Sequence, residues 1–259
     1  MSTIIYPSPI FGPIHSRRLG ISLGINLQPG DGKTCTFDCI YCECGYNKDF
    51  IPKTKRPARE VVAQALEAKL KDMKEQGTTP DVLTFAGNGE PTAHPDFLNI
   101  IKDTIRIRDS YFPDAKVSVL SNATMIGHED VREALMLVDN NILKLDTVNP
   151  EYISLVDRPV SPSYDVRKII DNMKLFHGHC IVQTMFMGGK MEGKNVDNTS
   201  DDFVNPWLEA VKEIKPSMVM IYTIDRETPD QYLKKASHEV LDNIKARVEK
   251  AGFACSASY

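Results

Sequence analysis

The sequence predicts an α/β protein built on a parallel sheet covered by helices. Short apolar runs without a polar face recur along the chain, each is followed by a stretch in which apolar residues return every three or four positions, and the pair repeats six times. A length of 259 residues with 42% hydrophobic side chains suits one large unit. The chain is therefore expected to be a single domain over 1–259, with an extended lead-in at 1–19 and the core at 20–259. Taken alone, the alternation fits an open doubly wound sheet and a barrel equally well.

In order, residues 4–19 are rich in proline and end in Arg17-Arg18, whose planar guanidinium groups suit a carboxylate or phosphate. Residues 20–27 (GISLGINL) are the first predicted strand, leading through Pro29-Gly30-Asp31-Gly32 into a cysteine-rich loop. Pro57 opens a helix with Val62, Leu66, Leu70 and Met73 on one face and Gly77 at its end. Residues 81–86 form the second strand and run into Gly87-Asn88-Gly89-Glu90-Pro91. A helix from His94-Pro95 carries Leu98, Ile101 and Ile105; residues 117–120 are a strand ending in Ser121-Asn122; Val131, Leu135 and Val138 mark the third helix. Residues 142–145 lead to Asp146, Val166, Ile170 and Met173 mark the fourth helix, and residues 181–187 are a strand containing Gln183 and Thr184. Asn205-Pro206 starts the fifth helix, residues 218–224 are the sixth strand, and Ser237 caps a last helix that ends at Gly252. Residues 157–164 and 188–200 read as loops over the mouth of the sheet, which makes Arg158 and Lys190 candidates for substrate contact.

Composition narrows the class of function. Four of the six cysteines fall within ten residues, which is not the pattern of a secreted disulfide framework, so a reducing, cytoplasmic compartment is expected. The first residues, MSTIIYPSPI, have neither the basic nor the apolar part of a signal peptide, and no run approaches the length of a membrane span. A net charge of -4 argues against a dedicated nucleic-acid binder.

Residues 33–44 read KTCTFDCIYCEC, with Cys35, Cys39 and Cys42 spaced C-x3-C-x2-C. Three thiolates in one loop can wrap a single metal centre, iron-sulfur or zinc. A structural zinc site normally takes four protein ligands in two short pairs, and no second C-x2-C pair exists here. Three ligands leave one coordination position open. The GNGEP run lacks the third glycine of a dinucleotide fingerprint, since Thr92 stands there and Pro91 interrupts the turn.

The run CTFDCIYC resembles the cluster loop of the radical S-adenosylmethionine (radical SAM) superfamily, and GNGEP resembles the glycine-glycine-glutamate motif of that family, with Asn88 in place of its first glycine. The resemblance implies a partial (β/α)6 TIM-like barrel. It also implies a [4Fe-4S] cluster held by Cys35, Cys39 and Cys42, whose remaining iron chelates SAM. Further, it implies that Tyr41 packs near the adenine, that Gly89 and Glu90 meet the methionine amino group, and that Ser121, Asn122, Asp146 and Gln183 reach the ribose or carboxylate, with Ile221 and Tyr222 lining the adenine. Reduced flavodoxin or ferredoxin is the expected electron donor, docking on a basic run of Lys53, Lys55, Arg56 and Arg59. The lead-in FGPIHSRRLG resembles a subgroup related to the tRNA wyosine-synthesis enzymes. Three other readings stand beside a radical SAM enzyme of unidentified substrate: a tRNA-modifying enzyme of the wyosine type, an activase of glycyl-radical enzymes, and a non-catalytic iron-sulfur or zinc-binding regulator.

Overall fold

The computed structural model describes residues 3–16 and 20–259; Arg17 and Arg18 lie outside the described residues. Its strands are β1 (Ile10–Ser16), β2 (Gly20–Ile25), β3 (Val82–Phe85), β4 (Lys116–Ser121), β5 (Asn140–Lys144), β6 (Ile181–Met185), β7 (Met187–Met191), β8 (Lys194–Asn195), β9 (Met218–Tyr222), β10 (Leu233–Lys235) and β11 (Cys255–Ser258). The helices are α1 (Arg59–Glu75), α2 (Phe97–Tyr111), α3 (Glu129–Leu137), the single turn α4 (Pro150–Tyr152), α5 (Val166–Lys174), α6 (Asp201–Ile214) and α7 (His238–Lys250).

Eight strands form one sheet in the order β1-β2-β3-β4-β5-β6-β9-β11. Every pairing from β2 to β11 is parallel, and β1 runs antiparallel to β2. Helices cover the outer face, as βαβ crossovers require. β1 and β11 end the sheet without pairing to each other, so the barrel is partial and open on one side. Apolar periodicity set the helices: α1 buries Val62, Leu66, Leu70 and Met73 against the sheet. The sheet's inner face behaves differently. Ile142, Ile181 and Met220 make a small apolar floor inside the barrel, and the space above it is open.

Several expectations are corrected. Within the extended lead-in, residues 10–16 add a strand to the sheet edge, beyond the six strands expected. A strand at 255–258 extends the opposite edge beside β9, where Cys255-Ser-Ala-Ser carried too weak a pattern to be read as one. Residues 188–200 are not an irregular loop. β7 and β8 form a hairpin across Glu192-Gly193, both at positive φ as a tight two-residue turn demands, and β10 completes a three-stranded sheet. α6 begins at Asp201 behind Ser200, a turn before Asn205, and Pro206 lies inside it. Arg247 of α7 bonds Asp201 and Asn205, fixing that first turn.

Candidate active site

The cysteine loop lies at the C-terminal end of β2, and its main chain is held by the segments around it. Thr34 N donates to Asn88 O at 2.9 Å and pairs with Gly89 in an isolated parallel bridge. On the other side Asp38 N bonds the carbonyls of Asp157 and Arg158, and Ile40 N donates to Val156 O at 2.9 Å. These acceptors belong to a wide helical turn at Ile153–Asp157 that ends in left-handed Arg158, so the segment after β5 acts as a cradle for the loop. Asn47 closes the loop from within, its Nδ2 donating to the carbonyls of Cys35 and Phe37. Phe37 and Ile40 are buried and anchor the turn.

Each of the three thiols has its own neighbour. Asn122 Nδ2 lies 3.6 Å from Cys35 Sγ, and Lys144 Nζ lies 3.4 Å from Cys39 Sγ. Burial pushes the Cys35 thiol up to about 12 and raises that of Cys39 further. Cys42 moves the opposite way, to about 6, because Cys44 donates to its sulfur and the Lys33 ammonium stands beside it. Cys44 Sγ also lies 3.4 Å from Gly87 O, an alternative acceptor for its single proton. Lys33 is buried, bonded to Gly45 O and 3.5 Å from Asp38 Oδ1. Among the described residues no three His, Cys, Asp or Glu side chains converge as one metal ion requires. A four-iron cluster, with one thiolate on each of three irons, does not impose that convergence.

A cavity of about 450 Å³ opens beside Cys42 inside the barrel. Tyr41, Gln183, Met220 and Tyr222 line its walls, and Tyr6 and Phe11 from the N-terminal segment close one side. Arg226, in the loop after β9, bonds Glu43 Oε2 at 2.7 Å and Tyr6 Oη at 3.1 Å, tying the barrel's last strands to the cysteine loop across the opening.

A family model described as the Radical SAM superfamily matches residues 31–203, from just before the cysteine loop to the start of α6. The chain belongs to the radical SAM superfamily. A UPF0026 protein of Helicobacter pylori is 30% identical over 237 residues, covering 90% of this chain and 71% of that protein. Among solved structures, a radical SAM methyltransferase from Sphaerobacter thermophilus superposes with a TM-score of 0.67 at 15% identity, over 92% of this chain and 66% of that one. A TYW1 with a bound lysine-pyruvate adduct superposes with a TM-score of 0.64 at 15% identity, over 88% of this chain and 73% of that one. Such likeness speaks for the fold: a partial TIM-like barrel of the radical SAM type. Family and fold make this an enzyme that uses SAM. No helix among the described residues is long and apolar enough to cross a membrane.

Within that radical SAM barrel the candidate residues fall into groups. Glu90 is fully enclosed and accepts from Thr92 N, Thr92 Oγ1, Ser121 Oγ and Asn122 N, so Glu90, Ser121 and Asn122 form one hydrogen-bonded unit behind Cys35. Burial still raises the Glu90 carboxyl above its ordinary range against those bonds. Gly89 sits at φ +141, where a Cβ would come within 1.9 Å of Thr34 O; only glycine lets the cysteine loop approach this closely. Asn88 is a structural clamp, its side chain accepting from Tyr6 N and donating to the carbonyls of Tyr6 and Pro29. Tyr41 donates to Asp146 Oδ2, and Met185 N donates to Asp146 Oδ1.

Gln183 lines the cavity with a buried Nε2 that has no hydrogen-bond partner among the described residues. Tyr222 lines it too, but Ile221 does not. Strand alternation turns the Ile221 side chain outward into the helix-covered core, so adjacent residues of β9 cannot both face the adenine. Arg56 and Arg59 are engaged, with Gln28 and Ala93 O and with Asp103, whereas among the described residues Lys53 and Lys55 have no side-chain partner. Sequence reasoning missed Lys33, Lys144 and Asp157. Period-two spacing along β5 carried a signal for one of them: Ile142, Lys144 and Asp146 share a face, and Asp146 was already a candidate.

Proposed function

We propose that Cys35, Cys39 and Cys42 hold a [4Fe-4S] cluster and that the protein is a radical SAM enzyme acting on a substrate bound in the barrel cavity. The donor set supports the fit. Three half-buried thiols on one tightly braced loop, two of them with raised affinity for protons, are released into thiolates by a bound metal centre. The buried Nε2 of Gln183 supports a ligand with an acceptor oxygen in the cavity, since orphaned buried donors are rare. When bound, the cluster supplies one electron to SAM, which splits into methionine and a 5'-deoxyadenosyl radical able to take a hydrogen atom from the substrate.

The chain's own residues position and enclose. Glu90, Ser121 and Asn122 fix the wall behind Cys35, with Gly89 bringing that wall against the loop. Tyr41 and Asp146 brace each other opposite, and Gln183 and Tyr222 present the polar contacts of the cavity. The floor of Ile142, Ile181 and Met220 and the cover from Tyr6 and Phe11 keep water from the reacting carbon. A cavity of about 450 Å³ lies within the range of small-molecule sites, roughly 300–1,000 Å³. Flavodoxin or ferredoxin fits as electron donor through Lys53 and Lys55 beside the loop.

The observation that carries the proposal is a loop of three thiols inside the span matched by the family model, with Cys42 of that loop lining the cavity. Anaerobically reconstituted protein given SAM and dithionite is expected to release 5'-deoxyadenosine, and Cys39→Ala none. A preparation that takes up zinc and no iron-sulfur cluster would replace this reading with the metal-binding regulator.

A further inference from the structure

Lys144 occupies an unusual position. It is the inward-facing residue at the end of β5, its side chain is 13% exposed, and five groups face it. Asp157 Oδ1 accepts directly from Nζ, Asp146 Oδ2 lies at 3.1 Å, and Cys39 Sγ at 3.4 Å. The rings of Phe37 and Tyr41 close the remaining sides, 4.8 and 5.2 Å from Nζ. Both carboxylates are themselves buried, and Asp157 is one of the residues whose backbone cradles the cysteine loop. A lysine in such surroundings gives up its hydration, which here its pairing with the two buried carboxylates offsets. What it reaches, and a shorter side chain would not, is the sulfur of Cys39.

We propose that Lys144 is a positioning residue for the cluster, donating from its ammonium to Cys39 Sγ so that the reduced state is favoured. This rests on the reading of Cys35, Cys39 and Cys42 as cluster ligands. Reduction adds one electron to the cluster and makes its thiolates more negative, so a hydrogen bond to a ligand sulfur is stronger after the electron arrives than before. Hydrogen bonds to sulfur are among the levers that set such potentials. Asp146 and Asp157 neutralise the ammonium and aim it, which leaves the directional N–H···S contact as its main effect. The three sulfurs then have different donors, an amide at Cys35, an ammonium at Cys39 and a thiol at Cys42, and the ammonium is the strongest of these.

The test is an EPR-monitored redox titration, without SAM, of the reconstituted full chain in three forms: wild type, D157N and K144M/D157N. Removing Lys144 alone would leave both Asp146 and Asp157 buried without the ammonium, so the double variant deletes a positive and a negative charge together and leaves Asp146 with Tyr41 Oη and Met185 N as partners. D157N keeps the donor and removes a nearby negative charge, so its midpoint is expected to move positive. K144M/D157N leaves the local net charge unchanged but lacks the donor. Its midpoint is expected to move negative, with the reduction constant falling about tenfold, or roughly 59 mV for one electron.

Affinity of the oxidised protein for radiolabelled SAM, read by equilibrium dialysis, is expected to stay within about twofold. A double variant whose reduction constant stays within twofold of wild type overturns the proposal. So does a tenfold loss of SAM affinity with an unmoved midpoint, which would make Lys144 a SAM contact. Cluster uptake by D157N but not by the double variant would assign Lys144 to loop structure alone and overturns it as well. Failure of the wild type itself to take up a four-iron cluster would instead refute the ligand assignment, and this inference would fall with it.

Discussion

Replacing Gly89 by alanine tests how far the site depends on one close approach of two backbones. At φ +141 an L-residue is strained by about 1–3 kcal/mol. The added Cβ would stand 1.9 Å from Thr34 O, 2.5 Å from Thr34 C and 3.1 Å from Cys35 N, all of them main-chain atoms of the cysteine loop. The loop would have to retreat by about 1.1 Å to reach even 3.0 Å from that oxygen. Its retreat is resisted by Asn47, by the cradle at Val156–Arg158 and by the bond from Thr34 N to Asn88 O. Overpacking of this kind costs about 1–3 kcal/mol. Together the two effects predict a loss of about 2–6 kcal/mol, or a fall in Tm of about 5–20 °C for a domain of this size.

Gly193 provides the control. It has φ +79 and nothing within 4 Å of a built Cβ, so Gly193→Ala pays the backbone cost of about 1–2 kcal/mol without the collision. Differential scanning calorimetry and iron content after reconstitution read both effects. Gly89→Ala is expected to melt below Gly193→Ala and to lose cluster uptake, while Gly193→Ala retains it. If Gly89→Ala holds a full cluster and melts within about 2 °C of Gly193→Ala, the close approach is not what requires glycine here.

Other perturbations probe the surroundings. Asn88→Gly restores the glycine usual in the family motif, yet it leaves Tyr6 N and Pro29 O without their partner, so thermal denaturation should show a loss of about 1–3 kcal/mol. Glu90→Gln puts a donor where the carboxylate accepts, and calorimetry should find it less stable by a similar amount. Because burial raises the Glu90 carboxyl in the folded protein, its contribution is fully present below the ordinary carboxylate range and lost as pH rises through the raised value. The Tm deficit of Glu90→Gln relative to wild type should therefore shrink as pH rises through that window. Gln183→Leu removes the orphaned donor from the cavity wall, and equilibrium dialysis should show weaker SAM binding with Tm unchanged or raised. Reversing Lys53 and Lys55 to glutamate should slow cluster reduction by flavodoxin, read by stopped flow, and leave reduction by dithionite unchanged.

The sequence revealed what depends on periodicity and spacing, and it hid what depends on tertiary pairing. Val62, Leu66, Leu70 and Met73 are all buried as their spacing indicated, because a long amphipathic helix needs only its own pattern to choose a face. β1 and β11 were hidden because an edge strand is defined by its neighbour. Residues 10–16 contain Gly12 and Pro13 and show no alternation, yet they pair with β2 from Ile10 to Ser16. The hairpin of β7 and β8 has one local signal, Glu192-Gly193, set in a stretch rich in lysine and glycine that lacks the alternation of a strand.

The same division runs through the site. Cys35, Cys39 and Cys42 announce themselves by spacing within eight residues, and Gly89-Glu90 by position at a strand end. Two residues that act on those sulfurs come from elsewhere in the chain, Asn122 after β4 and Lys144 on β5, while Lys33 stands at the foot of the loop itself. Nothing in a linear pattern joins residue 39 to residue 144. The parallel sheet does, because β2 and β5 deliver their C-terminal ends to the same rim, and the segment after β5 then folds back to hold the loop by its backbone. In the proposed site the barrel thus lets the three cysteines stay contiguous while the groups beside their sulfurs are drawn from the ends of β4 and β5. Substitutions at Lys144 should accordingly change how readily the proposed site takes up an electron, and substitutions of the three cysteines, or of Gly89 that lets the loop close, should decide whether it forms at all.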